Sequence, residues 1–532
     1  MPFFADLCLT NGHIVTVAQA NPSAEAIAVK DDRIQAVGSN DEIVKLVGDE
    51  TRIIDLQQRT VIPGLIDSHM HPGMYGIAKT GIDCDTPSMS ELLKRVKERA
   101  SETASGEWVL GFRLDDVKLG RYPTLEELDR ASPDNPLYIE RRDAHIGIVN
   151  SLALEAAMID ENTSDPPHGK IDRDAEGQPT GVLRESAKDL VYEKTPEPTL
   201  EEYKEGLELV MEEFLTLGIT TIHASMTTAK EFRAFQELRR EGRLRLRVCI
   251  HMSGDTKGML EALIDAGIQT PFGDDWLKIT EIEWIFDTST SGRTAAYYEP
   301  YVGEPDNTGI LLYDQDDITE RVRKAHDAGL RVGLDGIGDR GIDRALDAIE
   351  AALQENPRED HRHRIEHCCY ATPAILSRLE NLGVIDASAT GFIHDLGDAY
   401  QANRGKSAMQ WMWPHRILIE MGIPAPGHSD CPICSPNPWL GIYGIVTRKT
   451  DSGQVLHAEQ AISPLEGIEA YTKLGAYAGW EEGKKGTIEK GKLADLVVLD
   501  RNPLEIPREN LKNVKTLLTV LGGKITYNAL NY

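Results

Sequence analysis

Val61 to Pro72 reads VIPGLIDSHMHP, an apolar run that turns abruptly into histidine. Val61, Ile62, Leu65 and Ile66 are strand-forming or apolar, Pro63 and Gly64 interrupt them, and Asp67, His69 and His71 follow. In an extended chain residues two apart share a face. His69 and His71 therefore present two imidazoles to one point, as the first two ligands of a divalent metal must be presented. The same short pattern also occurs in polar loops. What favours the metal reading is the apolar strand in front and the partners downstream.

Working outward, the chain alternates strand and helix patterns. After the strand ending at His71 come GITTIHAS from Gly218, LRLRVCIHMS from Leu244, WLKITEIEWIFD from Trp276 and LRVGLDGIG from Leu330. HRIEHCC from His363, GVIDASAT from Gly383 and IPAPGHSD from Ile423 complete eight expected strands. ITERVRKAHDAG from Ile318 has helical apolar spacing, with Gly329 as a stop. That alternation is the signature of parallel βα units. The expected fold is α/β, a (β/α)8 TIM-type barrel. In such a barrel the working groups sit at the C-terminal ends of the strands. His71, His223, His251, Asp287, Asp335, His367 and Asp430 fall at or near such ends.

Both termini read as short strands joined by turns. Asn11-Gly12, Asp31-Asp32 and Gly522-Gly523 are hairpin signals. Residues 1–60 and 485–532 are expected to form one small β-sandwich domain, flanking a barrel over 61–484. Within the barrel, residues 73–217 form an insertion of about 145 residues after the first strand, far longer than an ordinary loop. It carries SMSELLKRVKERASET, an amphipathic helix capped by Ser88 or Ser90, and TLEELDRASPDNP, and reads as a lid-like subdomain over the barrel mouth.

The 532-residue chain has 41% hydrophobic and 27% charged residues, an ordinary globular composition. Its formal net charge of −29 disfavours nucleic acid and anionic membranes as partners. No apolar run approaches the roughly 20 residues of a membrane span. MPFFADLCLTNG has no basic region followed by a long apolar core, so it does not read as a signal peptide. Seven scattered cysteines suit a reducing cytoplasm, and Cys431-x-x-Cys434 has no second pair at zinc-knuckle spacing. The expected partner is a small-molecule substrate, and a homo-oligomer is left open.

The opening stretch resembles the first barrel strand of the amidohydrolase superfamily, metal-dependent hydrolases on a (β/α)8 barrel. RRDAHIGIVNSLAL from Arg141, GVLRES from Gly181, SGRTAAY from Ser291, GIGDRGID from Gly336, RIEH from Arg364 and SDCP from Ser429 resemble the long branch that includes the N-substituted formamide deformylases. The resemblance spans nearly the whole chain. It implies a terminal β-sandwich and a metal site of His69, His71, His367 and Asp430, with Asp430 also moving the proton of the attacking water. A carboxylate suits that task because it can take a proton and later deliver it to a leaving amine.

Two positions depart from the family pattern. Relatives often carry a carboxylated lysine on strand four, where alignment places Glu283, and a histidine on strand five, where Asp335 stands. Glutamate can bridge two cations directly, and aspartate is a harder ligand than histidine. One ion and two ions both remain open, with zinc first and manganese or iron as alternatives. Lys278 lies five residues from Glu283, so the two face opposite sides of a strand, and it is read as structural. The resemblance also offers His145 as a contact for the substrate carbonyl, Arg293 is a candidate anchor for a substrate anion or a loop carboxylate, and a structural role stays open for both. His223 and His251 read as satisfied core histidines, and His326 as a mid-helix structural one. Trp411, Trp413 and Trp439 either line an apolar pocket or cover the barrel. The expected reaction is cleavage of an amide-type, non-peptide C–N bond by metal-activated water. The same scaffold could instead support deamination, ester or lactone hydrolysis, decarboxylation or C–C cleavage, or a non-catalytic ligand-binding protein.

Overall fold

The computed structural model describes residues 4–530. The first three residues of the N-terminal stretch and the last two of the C-terminal one lie outside the described residues. Seven parallel strands pair in sequence order around a barrel. They are β1 (Leu65–Met70), β2 (Ile219–Thr227), β3 (Arg247–Ser253), β4 (Leu277–Trp284), β5 (Val332–Asp335), β6 (Arg364–His367) and β7 (Ile385–Ser388).

The period of two sorts the side chains. Ile222, Ile250, Ile282, Leu334 and Ile365 join the apolar layer beneath the surrounding helices. Their neighbours His223, His251, Glu281, Glu283, Asp335, Arg364 and Glu366 take the opposite face, which is buried inside the barrel. A barrel interior filled with ionisable groups is costly unless those groups are paired or hold a metal.

The expected eighth strand, from Ile423 to Asp430, is not one. Among the described residues its one ladder contact is a parallel bridge between Ser388 and Gly427. The reason is local: Pro424 and Pro426 carry no N–H to donate. The segment still closes the barrel by accepting. Asp386 and Ser388 donate to the carbonyls of Pro424 (3.1 Å) and Pro426 (2.9 Å), and Ser68 donates to Gly427 (3.2 Å). Asp430 then donates its N–H to the His69 carbonyl at 3.0 Å, which ties the last segment to the first strand.

The opening stretch is two strands. Thr60–Pro63 pairs antiparallel with Leu496–Leu499, and Leu65–Met70 enters the barrel. Gly64 lies between them, where a Cβ would meet the Thr220 side chain at 2.2 Å. The terminal strands form a four-stranded and a six-stranded sheet. Leu9, Ile27 and Ile54 from the first share a core with Ile14, Val61, Leu496 and Val520 from the second. Lys30↔Arg33 and Leu521↔Lys524 close true hairpins at the Asp31-Asp32 and Gly522-Gly523 turns. Asn11-Gly12 does not make a hairpin. Leu7–Thr10 pairs in one sheet and His13–Val15 in the other, so the chain crosses between sheets there.

Between β1 and β2 a further six-stranded sheet runs from Ile82 to Glu185. The helix Met89–Glu102 is capped by Ser88, whose hydroxyl accepts from the Glu91 N–H. The helices Pro72–Thr80 and Leu200–Thr216 cross at Gly76 and Gly206, where a Cβ on Gly76 would meet the Gly206 backbone at 2.5 Å. The helix Gln315–Asp327 ends before Gly329, which holds φ 84°. Among the described residues no helix is long and apolar enough to cross a membrane.

Candidate metal centre

At the C-terminal end of the barrel, six of the expected residues converge. His69 Nε2 lies 3.4 Å from Asp430 Oδ1, and His71 Nε2 lies 3.0 Å from the same oxygen. The His69 and His367 rings are 4.6 Å apart, and His367 Nε2 is 3.8 Å from Asp335 Oδ2. Glu283 Oε1 is 3.8 Å from His69 Nδ1. His367 and Asp430 hold left-handed backbone, φ 67° and 58°. Non-glycine residues adopt it at a cost and concentrate it at functional sites. The turn at His367 also lets two consecutive residues of β6, Glu366 and His367, approach His69 together.

Ligand atoms on a tetrahedral ion with bonds of about 2.0–2.1 Å stand about 3.4 Å apart. The separations of His69 Nε2 and His71 Nε2 from Asp430 Oδ1 are near that value. His69, His367 and Asp430 offer ligand atoms within 4.8 Å of one another, as do His251, Glu281 and Glu283. The buried atoms His69 Nε2, Glu283 Oε1, Asp335 Oδ1, His367 Nδ1 and Asp430 Oδ1 have no hydrogen bond of acceptable geometry. Buried polar atoms are normally satisfied, so this concentration fits a cation. The donor set, imidazole nitrogens and carboxylate oxygens, fits a divalent one.

The electrostatics agree. Burial, with Glu366 and Glu281 close by, pushes Glu283 up to about 8 against the pull of His69. Burial and Glu283 drive Asp335 well above the usual carboxylate range. Burial opposes charge on Asp430, but His367, His69 and His71 hold it well below that range. Burial also opposes charge on His69, which Glu283, Asp430 and Glu366 together lift well above an ordinary histidine. The buried negative charge is relieved either by protons, on His69, Glu283 and Asp335, or by a divalent ion.

Other groups have different places. Asp287 accepts from the backbone N–H groups of Thr288, Ala296, Ile337 and Gly338, and so fastens the loops after β4 and β5. His145 Nδ1 is held by Glu185 at 2.7 Å, and burial notwithstanding, that carboxylate raises its pKa to about 9. Its loop docks on the barrel where Ser289 Oγ donates to Asp143 at 2.9 Å. Arg293 donates to Asn403 at 3.0 Å and pairs with Glu304, a loop carboxylate. Lys278 pairs with Glu481, which also accepts from the Cys249 thiol on the His251 face of β3. The register shift between Ile279 and Glu281 therefore brings Lys278 to the same inner face as Glu283, at the opposite end of the barrel, rather than to the other side of the strand. His326 bonds His363 and the Asn356 carbonyl. Trp413 and Trp439 are buried in the core beside Ile393 and Ile442. All seven cysteines are buried and free. A cavity of about 760 Å³ is lined by Cys431, which follows Asp430 in the chain, with Tyr75, Arg142, Asp395, Ile433 and Cys434.

Three participants were not expected. His251 is no satisfied core histidine: its Nδ1 faces Glu283 at 3.3 Å and Glu281 at 3.4 Å, and its Nε2 has no partner. Glu281 lies two residues before Glu283 and so shares its face. Glu366 lies 2.7 Å from His69 Nδ1. The signal for Glu281 was in the sequence, as the period of two in E-I-E.

The amidohydrolase family model matches residues 52–527. The chain belongs to the amidohydrolase family. It is 27% identical to an N-substituted formamide deformylase of Arthrobacter pascens over 98% of both chains. It is 29% identical to the protein LONG AFTER FAR-RED 3 of Arabidopsis thaliana, over 98% of this chain and 92% of that one. Among solved structures, an uncharacterized metal-dependent hydrolase from Pyrococcus horikoshii superposes with a TM-score of 0.77 at 26% identity, covering 94% of this amidohydrolase chain and 99% of its own.

Proposed function

We propose that this amidohydrolase cleaves an amide-type, non-peptide C–N bond of a small molecule. The observation that carries the reading is the meeting of unpartnered His69 Nε2 and Asp430 Oδ1 with His71 and His367 at the C-terminal end of the barrel. His69, His71, His367 and Asp430 would hold a divalent ion, zinc first given the imidazole-rich set, with Glu283 and Asp335 available to a second. When bound, such an ion lowers the pKa of a water and polarises a carbonyl. Asp430 takes the proton from the attacking water and returns it to the leaving nitrogen, which a carboxylate held ionised by three imidazoles can do. His145, kept cationic by Glu185, donates from Nε2 to the substrate oxygen as negative charge develops there. Arg293, already committed to Glu304 and Asn403, acts by shaping the neighbouring wall.

The similarity to an N-substituted formamide deformylase supports the C–N assignment. We read residues 1–60 and 485–532 as one β-sandwich domain, 61–484 as the hydrolase barrel and 73–217 as its lid. The protein is assigned to the cytoplasm, with a small molecule as its partner and neither nucleic acid nor membrane. The test is turnover by metal-loaded protein of a panel of N-substituted formamides and other amides, beside esters and keto acids. Amide hydrolysis is expected, and activity confined to the esters or keto acids would overturn the assignment.

A further inference from the structure

His69 has two ring nitrogens with different fates. Nε2 faces Asp430 and has no hydrogen bond, whereas Nδ1 lies 2.7 Å from Glu366 Oε2. That second separation is too short for two ligands of one ion, which stand about 3.4 Å apart. It is the length of a charge-assisted hydrogen bond. An ionised carboxylate only accepts, so the proton belongs on Nδ1. Glu283, at 3.8 Å from the same nitrogen, is beyond hydrogen-bond reach.

Glu366 is itself fixed. Arg364 Nε reaches Glu366 Oε1 and its Nη2 reaches Oε2, both at 2.6 Å. Nη2 also donates to the Ser68 carbonyl at 2.9 Å, one residue before His69. Arg364 and Glu366 are wholly buried, and both share the inner face of β6. The clamp therefore ties the His69 ring and the His69 backbone to one rigid strand.

We propose that Glu366, clamped by Arg364, is the positioning residue for His69, holding Nδ1 protonated so that Nε2 is presented to the cation. This rests on the metal reading above. Carboxylates behind metal-ligating histidines set the tautomer and raise ligand basicity, and their loss costs about 10–100-fold in metal affinity.

The competing account is that Glu366 serves only to neutralise Arg364 in the core. Two variants separate them. Zinc affinity of apo protein is measured by chelator competition, and the unfolding midpoint of the apo form is measured beside it. Glu366→Gln should weaken zinc binding by about 10–100-fold and lower the midpoint. The double variant Arg364→Gln/Glu366→Gln removes the uncompensated guanidinium, so the midpoint should recover while zinc affinity stays weak. Wild-type affinity in Glu366→Gln, or affinity that returns in the double variant together with the midpoint, overturns the positioning role. If wild-type protein takes up no zinc, the metal reading itself has failed.

Discussion

At the N-terminal end of the barrel strands, Glu481 lies 2.5 Å from both Lys278 and Lys485, and Arg247 holds Asp495 at 2.7 Å. Midway along, Arg331 pairs with Glu281 at 2.7 Å and Arg364 with Glu366. At the C-terminal end, Glu283, Asp335 and Asp430 gather around His69, His71 and His367 without a lysine or arginine of their own. Burial is nearly complete at both ends. The difference lies in how charge is compensated. Below, each carboxylate meets a fixed cation of the chain, which suits a structural role. Above, the compensating charge has to come from protons or an ion, which suits chemistry. This matches the division of labour between the two faces of such barrels.

The largest effect should come from the lower end. Glu481→Gln leaves Lys278 and Lys485 buried without their anion, and breaking a buried pair costs about 3–5 kcal/mol. The denaturation midpoint should fall sharply while turnover per folded molecule is unchanged. A stability loss below about 1 kcal/mol, the range of a surface pair, would erase the contrast between the two ends.

Asp430→Asn should do the reverse. Asparagine tolerates the left-handed backbone of this position, so the fold should persist. Turnover should drop at least about a hundredfold, because the amide cannot carry the proton. Near-normal kcat would show that another group moves it.

Glu283→Gln sharpens the upper end. As a ligand to a second ion, Glu283 should give lower metal stoichiometry when neutralised. One retained ion with altered turnover would describe a single-ion site, and unchanged metal content with unchanged kinetics would remove Glu283 from the centre.

The smallest effect is a pH slope. His145 is raised to about 9 in the folded protein, above its ordinary value near 6.5, because Glu185 outweighs its burial. Its contribution to stability is therefore complete below about pH 6.5 and is lost as pH rises through about 9. The wild-type advantage over His145→Gln in unfolding midpoint should fade across that window. A constant difference from pH 6 to about pH 10 would place the ion pair elsewhere.

Much of the barrel was readable because Ile222, Ile250, Ile282, Leu334 and Ile365 point outward beside ionisable neighbours that point inward, although a register shift between Ile279 and Glu281 breaks the alternation on β4. The eighth strand was not, since Pro424 and Pro426 remove the donors that a ladder needs while leaving carbonyls that still close the ring. Asn11-Gly12 looked like a hairpin turn because turn chemistry is local, whereas the choice of sheet is set by distant partners. In the centre, the H-x-H pair and Asp430 announced themselves by spacing and neighbours. His251 did not, because its partners Glu281 and Glu283 lie on another strand. Glu366 was hidden by its neighbour: alternation points residues 366 and 367 to opposite faces, and only the positive φ of His367 brings both to His69.

The central claim is that the upper end of the barrel is compensated by a divalent ion. Elemental analysis of protein purified from rich medium, set beside its rate on an amide substrate, tests it most directly. We expect about one to two ions per chain, with activity lost when a chelator removes them and restored when zinc is returned. A preparation that holds no divalent ion and still turns over at the full rate would contradict it.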